Sequence, residues 1–276
     1  RYCTISQMDL AQEVPHFEPG DVVYHLATMK HFPAEFKPEQ ARNDIYKSTI
    51  RVLEECRGKN IFLIFTSSRT VYGSARGYIN EDYPLTPTTV YGKLKKECEE
   101  IIMKGVRKYA IIRLSSVYGG YRPYNPYMAV ADKFMYSALN QKPLIVEGGT
   151  QVFDFTFLDE VVKALKALIN IPRRNYAVHF TSGKPIDVGS LAHIIKGITH
   201  SPSPIRFVDP RKWEENPPFF IGDPRKCEYL LGLKFEIPLW QGLKVMYKRY
   251  RKYCKKERNY WRYLLDFASK LTDNCA

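Results

Sequence analysis

Phe65-Thr66-Ser67-Ser68 ends an apolar run, and Tyr91-Gly92-Lys93-Leu94-Lys95 follows it along the chain. Tyr91 and Lys95 are four residues apart, so on a helix their side chains share one face. An ammonium group beside a phenol stabilises the phenolate and lowers the pKa of the tyrosine. Ser68, at the end of a strand, is placed to hydrogen-bond the same substrate oxygen. The three residues are predicted to transfer a proton to or from a carbinol or carbonyl oxygen while a hydride moves elsewhere.

A Tyr-x-x-x-Lys pair alone is weak evidence, because the chain holds 20 tyrosines and 42 lysines and arginines. About two such pairs are expected by chance. The alternative is a solvated pair on a helix surface. The upstream strand ending in Thr-Ser-Ser favours the functional interpretation.

Several further segments carry a family resemblance. They are Asp21–Ala27, Val52–Cys56, Arg113–Gly119, Leu144–Gly148 and Phe153–Val162. Together with the Ser, Tyr and Lys residues they resemble an extended short-chain dehydrogenase/reductase of the NAD-dependent epimerase/dehydratase family, which acts on nucleotide sugars. The resemblance runs from about Asp9 to about Leu243.

The resemblance implies an α/β fold, a Rossmann-type doubly wound parallel sheet with a smaller α/β substrate-binding lobe. Alternating strand and helix patterns between residues 22 and 114 independently favour a parallel sheet. We expect the Rossmann-like domain to comprise residues 1–122 and about 150–171. The substrate lobe is predicted at 123–149 and 172–243, and a basic, aromatic helix or tail at 244–276.

The family begins with a strand and a Gly-x-x-Gly-x-x-Gly turn that binds the dinucleotide pyrophosphate at a helix N-terminus. The sequence contains no such motif, and it starts at Arg1. A truncated sequence, a processed chain and a natural deletion are the three explanations. We expect truncation, because the missing strands belong in the middle of the sheet and their loss would leave an unpaired edge. The 276-residue chain is therefore expected to bind NAD weakly.

The resemblance also assigns residues to the site. The implied catalytic residues are Ser68, Tyr91 and Lys95. The implied cofactor-binding residues are Asp9, Leu10, Leu26, Ala27, Lys30, Thr66, Ser67, Tyr91, Lys95 and Ser115. The implied substrate-binding residues are Ser68, Tyr91 and Ser116. NAD is the expected cofactor, with NADP left open, because the residue that distinguishes them lies on the family's second strand.

Two departures from the family pattern limit the reactions and substrates that can be expected. Family dehydratases use a Thr-Asp-Glu run where this chain has Ser68-Arg69-Thr70, so dehydration is not expected. The family often has a phosphate-binding arginine where Phe153 stands, and an aromatic ring cannot replace a bidentate guanidinium. Either another basic residue binds the diphosphate, or the substrate differs.

Positive charge is concentrated near the C-terminus. The chain carries a formal net charge of +13, and residues 244–262 hold nine Lys or Arg and one acid, Glu257. Such a stretch can bind nucleic acid or an anionic membrane surface. We favour a terminal helix with a solvated basic face and inward-facing aromatics, peripheral to catalysis.

Six scattered cysteines show no Cys-x-x-Cys spacing and the six histidines form no cluster, so no metal site is predicted. The cysteine pattern favours a reducing compartment, and the cytoplasm is expected. No apolar run approaches the roughly 18 residues of a membrane helix.

The sequence thus predicts an NAD(P)-dependent epimerase or reductase, an isomerase or oxidoreductase, that acts on a nucleotide-activated sugar. A catalytically silent homologue acting as a binding or scaffold module is the alternative. The resemblance further implies that a homodimer can form through the tyrosine helix.

Overall fold

The computed structural model describes residues 8–29, 31–125, 127–172, 175–210 and 218–253. The strands are β1 (Val22–His25), β2 (Phe62–Ser68), β3 (Gly77–Ile79), β4 (Lys108–Leu114), β5 (Ser116–Tyr118), β6 (Leu144–Glu147), β7 (Val152–Phe157), β8 (Tyr176–Phe180), β9 (Pro185–Asp187), β10 (Ile205–Val208) and β11 (Phe219–Gly222). The α-helices are α1 (His31–Phe36), α2 (Pro38–Ala41), α3 (Ser48–Cys56), α4 (Val90–Gly105), α5 (Val130–Leu139), α6 (Leu158–Ala167), α7 (Val188–Thr199), α8 (Arg225–Leu231) and α9 (Leu239–Tyr253). A π-helical segment, Arg42–Lys47, joins α2 to α3, and a 3-10 turn, Arg69–Tyr72, follows β2.

Four parallel strands form the larger sheet in the order β1-β2-β4-β8. Alternate side chains of β2 point to opposite faces of this sheet, as a strand requires. Leu63 and Phe65 join the core beneath α3 and α4, and Phe62 and Ile64 join the core beneath α6 and α8. Helices therefore cover both faces, and the predicted doubly wound α/β class is confirmed. Among the described residues, β1 pairs with β2 alone.

The smaller lobe is built around β7. This strand lies between β11 and β5 and also pairs with β9 in antiparallel fashion, while β6 and β10 form a separate parallel pair. Helices α5, α7 and α9 enclose the apolar core of the lobe. The sequence analysis did not predict α7, because that helix carries few charged residues to mark its solvent face.

The domain division stays a prediction, and three elements cross its boundaries. Strand β8 belongs to the larger sheet although it lies within 172–243, because it pairs with β4. Strand β7 pairs within the smaller lobe although it lies inside the segment of about 150–171 that was assigned to the larger domain. Helix α9 spans residue 244.

Helix α9 is an integral element of the smaller lobe. Tyr250 is fully buried, and its hydroxyl donates a hydrogen bond to Asp132 Oδ1 at 2.8 Å. Lys248 is exposed, whereas Arg249 donates to the Gly119 carbonyl at 2.7 Å and pairs with Asp159 at 2.7 Å. Tyr250 and Tyr253 face inward, as expected, whereas Trp240 is 53% exposed, and the basic residue Arg249 anchors the loop after β5. Residues 254–262 of the basic stretch lie outside the described residues.

Candidate active site

The carboxyl end of β2, which bears Ser68, packs against the first turns of α4, which bear Tyr91 and Lys95. Lys95 Nζ donates to the Thr66 carbonyl at 2.7 Å, two residues before Ser68, and lies 4.5 Å from the centroid of the Phe65 ring. In open parallel sheets, ligand sites form beyond the carboxyl ends of the strands. Lys95 therefore lies at the edge where such a site is expected.

Gly92 lets α4 approach the turn that follows Ser68. A Cβ atom at residue 92 would lie 2.5 Å from the Thr70 carbonyl oxygen, so any larger residue would push the helix away. Thr70 in turn donates from its backbone N–H to Ser68 Oγ at 3.2 Å and from its own hydroxyl at 3.1 Å. The glycine beside Tyr91 thus fixes the tyrosine helix against the serine turn.

Tyr91 is almost completely buried, with 9% of its surface exposed. Burial raises the pKa of Tyr91 to about 12, and a hydrogen bond with Thr28 acts in the opposite direction. The shift is opposite to the one expected from the neighbouring ammonium. The physical reason is that Lys95 points to the Thr66 carbonyl, 5.7 Å from the Tyr91 ring centroid, while the phenol has lost its solvent.

Burial also lowers the pKa of Lys95 to about 8. Desolvation disfavours the ammonium, and the nearby acidic groups Cys98 and Glu99 only partly oppose this effect. The side chain is therefore still protonated in most molecules at neutral pH, and it can give up its proton at mildly alkaline pH.

Glu35 on α1 holds the start of α4. Its carboxylate oxygens accept hydrogen bonds from the backbone N–H groups of Val90 and Tyr91, each at 3.1 Å. A carboxylate at this position satisfies two amides that have no partner inside the helix and complements the helix dipole. The ring of His31, on the same short helix, lies 5.5 Å from the Tyr91 ring. Sequence reasoning missed Glu35, since nothing near residue 35 indicates that it meets α4.

A buried ionic network lies behind the serine strand. Ser67 Oγ donates to Glu99 Oε1 at 2.5 Å, and Arg113 pairs with Glu99 at 2.8 Å. Arg113 also donates to the Tyr72 hydroxyl at 2.6 Å, and that hydroxyl contacts His179 Nε2 at 2.6 Å. Glu99 lies one turn beyond Lys95 on the same helix face, a spacing that could have predicted its burial beside the site. The hydroxyl proton of Ser67 is donated to Glu99, so the side chain could contact a cofactor only as a hydrogen-bond acceptor.

The other residues assigned to the cofactor are found in different settings. Leu26 (47% exposed) and Ala27 lie exposed just beyond β1, and Lys30 lies outside the described residues. Asp9 and Leu10 lie in a turn tied to α3, where Arg51 Nε donates to the Ala11 carbonyl at 2.8 Å.

The two serines after β4 lie at the junction of the two sheets. Ser115 Oγ donates to the Asp154 carbonyl at 2.9 Å. Ser116, the first residue of β5, pairs with Phe155 of β7. The assignments of all these residues to cofactor or substrate stay predictions.

The guanidinium of Arg69 stacks on the ring of Phe153. The guanidinium carbon of Arg69 lies 4.0 Å from the Phe153 ring centroid and 5.8 Å from that of Phe220. Next to Phe153, the carboxylate of Asp154 is fully buried and accepts hydrogen bonds from the Thr181 hydroxyl and from the Gly222 N–H at 2.7 Å. Burial raises the pKa of Asp154 to about 6; these two bonds and the charge of Arg69 act in the opposite direction.

The described residues contain no group of three or more His, Cys, Asp or Glu placed to bind a metal ion. Within the same part of the chain, no helix has the length and apolar character needed to cross a membrane.

Similar sequences identify the family. Residues 1–180 match the family model described as the NAD dependent epimerase/dehydratase family. A protein of Methanocaldococcus jannaschii named "Putative UDP-glucose 4-epimerase" is 31% identical over 250 residues, which cover 87% of this chain and 80% of the relative. An uncharacterised UDP-glucose epimerase of Bacillus subtilis is 28% identical, covering 82% of this chain and 73% of the relative.

Solved structures of the same class share the fold. An epimerase of Methanothermobacter thermautotrophicus superposes with a TM-score of 0.80 at 23% identity, covering 87% of this chain and 74% of that one. The UDP-glucose 4-epimerase of Thermotoga maritima gives a TM-score of 0.78 at 23% identity, covering 84% and 77%. The chain therefore has the Rossmann-type fold of these epimerases. The chain belongs to the NAD dependent epimerase/dehydratase family.

Proposed function

We propose that this protein is an NAD-dependent epimerase or reductase acting on a UDP-sugar. The observation that carries the proposal is the packing of α4, which bears Tyr91 and Lys95, against the carboxyl end of β2 and the turn after Ser68, through the Lys95–Thr66 bond and the close approach of Gly92 to Thr70. The names of the relatives from Methanocaldococcus jannaschii and Bacillus subtilis support UDP as the nucleotide.

Each residue of the site has a distinct role in this proposal. Tyr91 is the general acid and base at the reacting oxygen of the sugar. Ser68 hydrogen-bonds the same oxygen, and its orientation is set by the bonds it accepts from Thr70. Thr28 bonds the Tyr91 hydroxyl and favours its ionised form, which partly offsets burial.

The residues present suit the nicotinamide half of NAD. The exposed apolar side chain of Leu26 lies just beyond β1, the strand next to β2, and the buried ammonium of Lys95 lies at the carboxyl end of β2. Lys95, Tyr91, Leu26 and Ala27 would hold that half of the cofactor, which when bound supplies the hydride acceptor or donor.

The second candidate is a catalytically silent member of the family that binds a nucleotide sugar. The burial of Tyr91 and its pKa of about 12 favour this alternative, because a phenol that rarely ionises is a poor general base at neutral pH.

Product analysis separates the two candidates. The 276-residue chain is incubated with UDP-glucose or UDP-glucuronate and with NAD in large excess, and the nucleotide sugars are then separated by chromatography. An epimerised or reduced sugar that Tyr91→Phe does not form supports the enzyme. Calorimetric binding of a UDP-sugar without any product supports the silent module. If the chain forms no product and binds no UDP-sugar, the proposed function is contradicted.

A further inference from the structure

We propose that Arg69, supported by the ring of Phe153, binds an anionic group of the substrate. This inference rests on the proposed nucleotide-sugar function. The family often binds a phosphate with an arginine at the position of Phe153, and the inference gives that role to Arg69. The anion is either the diphosphate or a carboxylate on the sugar, and both present oxygen pairs that a guanidinium binds in the same way.

The position of Arg69 follows from its neighbours along the chain. It directly follows Ser68 and begins the 3-10 turn Arg69–Tyr72, whose first backbone amides are capped by the Ser68 side chain. Because the turn is pinned by that cap and by the contact with Gly92, the base of the Arg69 side chain is fixed beside the proposed site of proton transfer.

The direction of the side chain follows from the aromatic contacts. Its guanidinium lies over Phe153, 4.0 Å from the ring centroid, and also near Phe220. Phe153 and Phe220 occupy paired positions on the neighbouring strands β7 and β11, so their rings lie on the same face of the sheet and form one apolar surface. Stacking engages the face of a guanidinium, and the N–H donors of the group lie in its plane. Arg69 therefore places its positive charge beside Phe153. The charge comes from the turn after β2, whereas an arginine at residue 153 would supply it from β7.

Charge in the neighbourhood is consistent with an anion site of moderate strength. The carboxylate of Asp154 lies close enough to Arg69 for the arginine to oppose the rise in its pKa. That carboxylate is fully buried and bonded to Thr181 and Gly222, so it faces away from solvent. A substrate anion would meet the guanidinium from the solvent side.

A purely structural role is the competing explanation, since an arginine stacked on two rings can simply stabilise the lobe. The two roles predict different measurements. A structural arginine changes the melting temperature of the free protein, and a binding arginine changes the affinity for anions.

The test is calorimetric titration of the 276-residue chain with UMP, UDP, UDP-glucose and UDP-glucuronate. Arg69→Gln is compared with the wild type and with Arg57→Gln. Arg57 is an exposed residue just after α3, at the opposite end of the sheet, and its substitution removes the same charge. Losing a charge-assisted bidentate contact should weaken binding about 10- to 100-fold in Arg69→Gln and leave Arg57→Gln unchanged.

The four ligands distinguish the two anions. Loss of affinity for UDP and both UDP-sugars, with UMP less affected, identifies the diphosphate. Loss confined to UDP-glucuronate identifies a carboxylate. The double variant Arg69→Gln/Phe153→Arg should recover part of the affinity, because it returns a guanidinium to the same place from β7.

Equal affinities of the wild type and Arg69→Gln for every ligand would overturn the inference, even if the melting temperature falls. A wild type that binds none of the UDP-sugars would instead contradict the proposed function, so the two failures can be told apart.

Discussion

The two sides of the β2 carboxyl edge differ in how closely they follow the family pattern. On the reaction side, Ser68, Tyr91 and Lys95 match it, and the last two are buried and bonded to fixed partners. On the side facing β7, Phe153 stands in place of an arginine, and a cation reaches the same spot from Arg69. Proton transfer needs one group within hydrogen-bond reach of one oxygen. An anion can be bound by a cation approaching from several directions, so the second side can change while the first does not.

The strongest test of the reaction side is Tyr91→Phe. The substitution removes only the hydroxyl, and we expect turnover to fall roughly 10²- to 10⁴-fold, the usual contribution of a general acid or base. Chromatographic rates with NAD in excess measure the effect, and melting curves check that the fold persists. Tyr229→Phe, at a tyrosine that is 88% exposed, is the matched control. A Tyr91→Phe enzyme with the wild-type rate would show that the acid and base lie elsewhere.

The network beneath the reaction side can be broken with Arg113→Met. Removing the arginine leaves Glu99 buried without its counter-ion, and the free energy of unfolding should fall by about 3–5 kcal/mol. Urea denaturation measures this change.

The double variant Arg113→Met/Glu99→Met provides the control for that experiment. It removes both charges and should recover part of the lost stability, since no uncompensated charge remains. A double variant less stable than Arg113→Met alone would mean that the loss comes from packing rather than from charge.

On the β7 side, the test compares how the free energy of unfolding of the wild type and of Asp154→Asn depends on pH. The folded-state pKa of Asp154, about 6, exceeds the ordinary aspartate value of 3.8, so the folded protein holds this proton more tightly than the unfolded chain. The stabilisation is present below pH 4 and is lost as pH rises through 6. Relative to Asp154→Asn, the wild type should lose about 3 kcal/mol of unfolding free energy over that range. Denaturation at pH 4, 5, 6 and 7 gives both curves, and parallel curves would contradict a raised pKa.

The smallest expected effect compares adjacent residues of α9. Arg249→Gln should lower the free energy of unfolding by about 1–2 kcal/mol, because it removes the bonds to Gly119 and Asp159. Exposed Lys248→Gln should change it by less than about 0.5 kcal/mol. Turnover should be nearly unchanged in Lys248→Gln, as expected of a solvated basic face. Equal losses of stability in both variants would show that net charge, and not the anchored loop, is responsible.

Much of the larger domain could be predicted from the sequence. The apolar run of β2 and the periodic pattern of α4 depend on residues close together in the chain, and so does the shared face of Tyr91 and Lys95. The family and the α/β class followed from these local patterns. The substitution at residue 153 was also visible in the sequence, but the residue that compensates for it was not.

Contacts between residues far apart in the chain were decided only by the tertiary structure. Arg69 meets Phe153, Glu35 caps the helix of Tyr91, and Arg249 reaches Gly119, each across more than 50 residues. The pKa of Tyr91 belongs to the same group. The sequence indicated a neighbouring ammonium, whereas burial, which depends on how α1 and α4 pack, raises that pKa to about 12. Local spacing fixes which side chains share a face, and only packing fixes the solvent and the distant charges that those side chains meet.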